Sequence, residues 1–80
     1  MRIDDYLSTV GIIKRRTIAK EMGDNGLVEV NGRKVKPSYE VKINDIVVIK
    51  GSHPYKAEVI AIPHGSVAKE KRAGFFKPLP

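Results

Sequence analysis

Three cations stand in a row at Lys14-Arg15-Arg16, and Lys20 follows Arg16 four residues later. Ile18, Ala19 and Met22 form one apolar stripe at helical spacing, which predicts a helix over about 15–23 with the cations at its start. That is the wrong end for stability alone. Exposed cations at a helix N-terminus oppose the dipole by about 0.3–1 kcal/mol each, and the like-charged pair Arg16 and Lys20 adds a few tenths more. A phosphate docked there reverses the sign, because it meets free backbone N–H groups, the positive dipole end and guanidinium forks together. The chemistry these residues suggest is therefore anion binding, with a merely solvated basic face as the structural alternative.

A second cationic group surrounds a turn. Leu27-Val28-Glu29-Val30 alternates with period two, Asn31-Gly32 has the residue types of a tight hairpin turn, and Arg33-Lys34-Val35 returns. Alternation sends Val28, Val30 and Val35 to the core and leaves Asn31, Arg33, Lys34 and Lys36 at the tip and outer face. A basic hairpin beside a basic helix start makes a two-pronged surface suited to the shape and backbone of folded RNA. Basic hairpins also serve solubility and protect sheet edges, so the turn alone carries little weight.

Nothing in the chain has the pattern of a catalytic or metal centre. His53 and His64 lie in separate loops without ligand spacing, and there is no cysteine. Gly23-Asp24-Asn25-Gly26 reads as a turn, Asp4 and Asp5 read as a helix-start pair, and no serine has a nucleophile context. We expect no enzymatic activity, no cofactor and no small-molecule substrate.

These groups need a scaffold, and 80 residues allow one domain. Ile3, Leu7 and Val10, with Tyr6 alongside, predict a first short helix stopped by Gly11, with Asp4 and Asp5 in its first turn. Asp24-Asn25-Gly26 breaks the second helix, and Pro37-Ser38-Tyr39 marks a loop. Strands follow at Ile46–Ile49 and near Ala57–Ile62. The expected fold class is α+β: two short N-terminal helices on a small, mostly antiparallel twisted sheet, occupying residues 1–62. Residues 63–80 read as a basic C-terminal tail, with Ser66 capping a short helix through Ala73 and with Phe75 and Phe76 as anchors if it orders on RNA.

Fifteen Lys and Arg against nine Asp and Glu give a formal charge of +6, which favours a polyanionic partner, nucleic acid ahead of membrane. Residues 14–42 carry a net +4 and residues 63–80 a net +3, so the charge sits in a central block and at the C-terminal end. No apolar run approaches the roughly 18 residues that span a bilayer. The lack of cysteine and of a signal-peptide pattern at Met1-Arg2-Ile3-Asp4-Asp5 leads us to expect a cytoplasmic protein; separately, we expect the free chain to be monomeric.

Arg2-Ile3-Asp4-Asp5-Tyr6-Leu7, then Arg16-Thr17-Ile18-Ala19, Gly26-Leu27-Val28-Glu29-Val30-Asn31-Gly32, and Val41 through Asp45-Ile46-Val47 stand in one order. This ordered set resembles the alpha-L RNA-binding motif, the S-four-type domain named after a ribosomal protein, over about residues 2–50. Ile13 to Met22 and Lys36-Pro37-Ser38 resemble in particular the stand-alone heat-shock-protein-fifteen group. The resemblance implies binding to ribosomal RNA on the large ribosomal subunit, near peptidyl-tRNA, in ribosome rescue or quality control. On the motif, Arg2, Arg16, Lys20, Asn31, Lys34 and Lys36 are the RNA-facing positions, and Thr17 lies among them. Asn44 replaces the glycine usual before Asp45, and Arg15 replaces a small polar helix cap. Two other readings concern binding as well. Val47 to Gly51 and Tyr55 to Val59 resemble the small-barrel KOW element of ribosome assembly and translation factors, and a regulatory domain that binds protein would also fit the size.

Overall fold

A computed structural model describes all residues 1–80. The first helix, α1, spans Ile3–Thr9 and ends where Val10 caps it and Gly11 takes a left-handed φ of +83°. Its acids occupy the first turn, and Ile3, Tyr6, Leu7 and the following Val10 are buried along one face. The second helix, α2, spans Arg16–Asp24, with Arg15 extended at its start and making no side-chain cap. It closes with Leu27 N–H donating to the Met22 carbonyl and Gly26 N–H to the Gly23 carbonyl, while Gly26 sits at φ +72°. That pair of bonds around a left-handed glycine is a Schellman motif, which satisfies carbonyls the helix would otherwise leave bare.

Ile18 departs from the expected stripe and is 44% exposed. The reason is the closeness of the contact. α2 is buried through Ala19 and Gly23, and a Cβ on Gly23 would stand 2.8 Å from Cγ of Pro37. A helix pressed this near its neighbour buries the line through its two smallest residues, and Ile18 falls about a quarter-turn off that line.

Five antiparallel strands form one sheet in the order β2-β1-β3-β4-β5: β1 is Val28–Val30, β2 Arg33–Lys34, β3 Ile46–Ile49, β4 Tyr55–Val59 and β5 Phe76–Pro78. Val30 pairs with Val47, which pairs with Ala57, and Val28 pairs with Ile49, so one face carries the apolar side chains that meet the helices. β3 and β4 lie in the middle of this sheet, which leaves no separate small barrel for residues 47–59. No helix is long and apolar enough to cross a membrane.

The segment after Pro63 differs from its sequence reading as a tail. It contains a 3-10 helix over Lys69–Gly74, preceded by Ala68 without a side-chain cap, so Ser66 caps nothing. It then supplies β5, in which Phe76 pairs with Val59. The cause is apolar surface: Phe75 and Phe76 pack on the core, and the Phe75 carbonyl accepts from Ile60 N–H, Ala61 N–H and the Tyr6 hydroxyl, the last at 2.6 Å. Burial pushes the Tyr6 phenol up to about 12. A chain of this size has little core to spare, and two phenylalanines left in solvent would forgo a large share of it.

Candidate nucleic-acid interface

The acidic pair of α1 is the hinge of the site. Asp4 is 1% exposed, and its carboxylate accepts Arg2 Nε and Nη2 at 3.1 Å each and Asp5 N–H at 2.7 Å. Arg16, the first residue of α2, brings its guanidinium to 3.7 Å from Asp4 and 4.0 Å from Asp5. The unfavourable cation at the start of α2 is thus met from inside the protein. Asp4 holds two arginines from different elements side by side, each still about half exposed. Lys14, Arg15 and Thr17 are exposed next to them, and neither cation reaches a carboxylate.

Arg2, Lys20 and Lys36 come from the N-terminus, α2 and the strand-exit loop to line one shallow cleft of about 420 Å³ with Gly23, Asp24, Pro37 and Ser38. Apart from the Pro37 ring, every side chain that lines it is polar or charged, or is that of glycine. The α2 contact at Gly23 and Pro37 sets its width, and backbone bonds from Ile3 N–H to Tyr39 and Asp4 N–H to Pro37 tie the loop to the start of α1. Lys20 pairs with Asp24 at 3.2 Å in an exposed i, i+4 bridge, a weak tether that an arriving phosphate can displace. The cleft therefore presents three cations against one acid, a charge arrangement complementary to an anionic group.

The hairpin holds the remaining residues. Asn31 and Gly32 take φ values of +53° and +84°, the two left-handed positions of a type I′ turn. Arg33 and Lys34 lie exposed on β2, with the Lys34 stem beside Gly26. Asn31 is occupied elsewhere. Its Nδ2 donates to Asp45 Oδ1 at 3.0 Å and its Oδ1 accepts Ile46 N–H at 3.0 Å, so the amide bolts the hairpin to β3. Asp45, 6% exposed, also accepts the Tyr39 hydroxyl and Lys42 N–H, both at 2.9 Å. Burial and the Asp45 carboxylate, by hydrogen bond and charge, raise the Tyr39 phenol above its ordinary range. Asp4 and Asp45 are the positioning residues the sequence did not single out. Asn44, standing where a glycine is usual and taking a left-handed φ of +76° in the fold, was the one local sign of a tight structure before Asp45.

An S4 domain model matches residues 1–47, and the chain belongs to the S4-domain family. Among curated relatives, the "RQC P-site tRNA stabilizing factor" of Streptococcus pneumoniae (strain ATCC BAA-255 / R6) is 40% identical over 77 residues, 96% of this chain and 88% of that protein. The solution structure of a hypothetical protein, HP1423, superposes with a TM-score of 0.84 at 32% identity, over 100% of this chain and 98% of that one. The trimeric structure of Vibrio cholerae Heat Shock Protein 15 superposes with a TM-score of 0.89 at 22% identity, over 99% of this chain and 81% of that one, and shares the fold.

Proposed function

We propose that the chain is a non-catalytic RNA-binding factor that docks on structured RNA of the large ribosomal subunit beside P-site tRNA and acts in ribosome quality control in the cytoplasm. The observation that carries the reading is the Asp4 carboxylate holding Arg2 and Arg16 together next to the Lys20 and Lys36 cleft. The name of the Streptococcus pneumoniae relative, matched along nearly the whole chain, supports the ribosomal address and the tRNA. The contacts we assign are Arg2, Arg16, Lys20 and Lys36 to phosphates at the cleft, Lys14, Arg15 and Thr17 along the start of α2, and Arg33 and Lys34 from the hairpin. Asn31 contributes by holding the hairpin in place. Recognition of this kind reads backbone spacing, so it selects folded RNA by shape.

The test is co-sedimentation of the full chain with large subunits that carry peptidyl-tRNA, compared with vacant large subunits and with small subunits. We expect retention on the first, weaker retention on the second and none on the third, and loss on Arg16→Glu with Lys20→Glu. Equal retention on small subunits, or retention that survives the double charge reversal, refutes the assignment.

A further inference from the structure

The row Val28, Ile49 and Tyr55 crosses the face of the sheet that meets the helices, since Val28 pairs with Ile49 and Ile49 with Tyr55. Val28 and Ile49 are buried, but the helices stop short of Tyr55, which is 37% exposed. The uncovered end of the row lines an open groove of about 530 Å³. Ile13, Met22 and Leu27 supply apolar walls, and Lys50, Ser52 and His53 from the β3–β4 turn supply a polar edge. The volume falls within the roughly 300–1,000 Å³ of small-ligand sites, which are likewise apolar with a few polar groups.

α2 is the wall between this groove and the cationic cleft. Met22 lines the groove, whereas its helix neighbours Lys20, Gly23 and Asp24 line the cleft. Ile18 lies one turn before Met22 on the same side of the helix, and it is 44% exposed. This apolar strip leads from the groove back towards the start of α2, where Lys14 and Arg15 stand exposed and reach no carboxylate. The groove is therefore continuous with the surface assigned to RNA phosphates. Its chemistry matches the other part of a nucleotide: a base has two apolar π faces and a rim of donors and acceptors, and unpaired bases of RNA stack on aromatic rings. An apolar protein side chain would use the walls, but it would match neither the polar edge nor the cations beside them.

We propose that the groove takes an unpaired nucleobase of the bound RNA, stacked on Tyr55 with its polar edge at Ser52 and His53. The inference rests on the RNA-binding reading and deepens it, adding contact with a base to the contacts with phosphates. Ser52, His53 and Tyr55 lie beyond residues 1–47, the segment that matches the S4 domain. A backbone held at the cleft and along the start of α2 lies across one helix from the groove, so a base turned out of its stack reaches it.

The experiment measures binding of the full chain to a fluorescent RNA hairpin with one bulged adenosine, and to the same hairpin with an abasic bulge, over a range of salt. On the parent, the abasic probe should bind about tenfold more weakly. Tyr55→Leu should lose about the same factor on the adenosine probe and nothing further on the abasic one, because ring and base act on each other. Its log–log salt slope should stay as in the parent, since stacking releases no counterions. Tyr55→Phe, which keeps a ring, should recover the affinity that leucine loses. Equal affinity of the parent for both probes, or independent losses that add, with Arg16→Glu impaired on each, overturns the base seat in favour of an apolar protein partner and leaves the RNA reading standing. A parent chain that binds neither probe ends both. If Tyr55→Leu melts earlier than the parent, the Met22 methyl NMR signal of the parent decides: a shift with the adenosine probe that the abasic probe does not produce supports the seat, and equal shifts overturn it.

Discussion

The Asp4 carboxylate receives the Arg2 guanidinium side-on, Nε to one oxygen and Nη2 to the other, at 3.1 Å each. The same carboxylate lies 3.7 Å from Arg16, so one buried acid sets the spacing of two exposed cations. The arginine side of this pair keeps much of its hydration, which limits the Coulomb gain, while the buried carboxylate would be costly to leave unmatched. The further value of the arrangement is geometric. Two long side chains, otherwise free to sweep solvent, are held where a phosphate can meet both without a further ordering cost.

Replacing Asp4 with Asn should separate these effects. The amide keeps the volume but loses the charge and one acceptor, which should cost about 1–2 kcal/mol of stability. Urea melts should show a lower midpoint at unchanged slope. RNA affinity should fall although a negative charge has been removed, the opposite of what net charge alone dictates. A gain in affinity would mean that Asp4 merely neutralises the arginines.

Asn31 is a stability residue in a cationic neighbourhood. Asn31→Ala removes both amide bonds, leaves Asp45 one donor short, and places Ala at φ +53°. We expect a loss of about 2–3 kcal/mol, or a fall in Tm on the order of 8–24 °C for a domain of this size. The salt slope of RNA binding, measured where the variant is folded, should stay as in the parent.

Gly23→Ala pits helix propensity against packing. Alanine gains about 1 kcal/mol in a helix interior. Its Cβ, however, would lie 2.8 Å from a proline ring that cannot swing aside. Overpacking of this kind costs about 1–3 kcal/mol, so the net change should be destabilising, and the cleft that Arg2, Lys20 and Lys36 line should widen. Chemical denaturation and hairpin binding read the two consequences.

The salt dependence of RNA binding follows from the number of phosphates met. If five to seven are neutralised, the log–log slope should be roughly −4 to −6. Charge reversal at Arg16 and Lys20 together should make it shallower by about 2 and weaken binding whatever the RNA sequence. Fluorescence anisotropy over a salt series measures both.

Alkali should unfold the protein through Tyr6. Its phenol titrates near 12 in the fold against 10.0 for the free side chain, so the folded state holds its proton more tightly. That stabilisation is complete below pH 10 and is lost as the pH rises from 10 to 12, amounting to about 2–3 kcal/mol. Tyr39, also raised, acts in the same direction. Tyr6→Phe gives up the bond to the Phe75 carbonyl, about 1 kcal/mol at neutral pH, and should flatten the alkaline limb. Melting curves from pH 9 upward test this.

Local pattern was enough for much of the architecture. The helical stripe at Ile3, Tyr6, Leu7 and Val10, the period-two run at Val28 to Val30 and the Asn31-Gly32 turn each need only near neighbours in the chain, and each forms where the pattern puts it. Cationic residue types at a helix start and on a loop drew attention to Arg16, Lys20 and Lys36 in the chain itself, whereas Arg2 entered only through the family resemblance. What the chain could not disclose was which groups meet across a distance. Asp4 to Arg16 spans twelve residues, Asn31 to Asp45 fourteen and Tyr6 to Phe75 sixty-nine. Periodicity carries no information about such pairs, since they depend on how the helices dock on the sheet. Tertiary structure alone turned a helix-start acid into the clamp for two arginines and Asn31 into a bolt between strands. It also turned a basic tail into the fifth strand, because the apolar surface of Phe75 and Phe76 outweighed the charge around them.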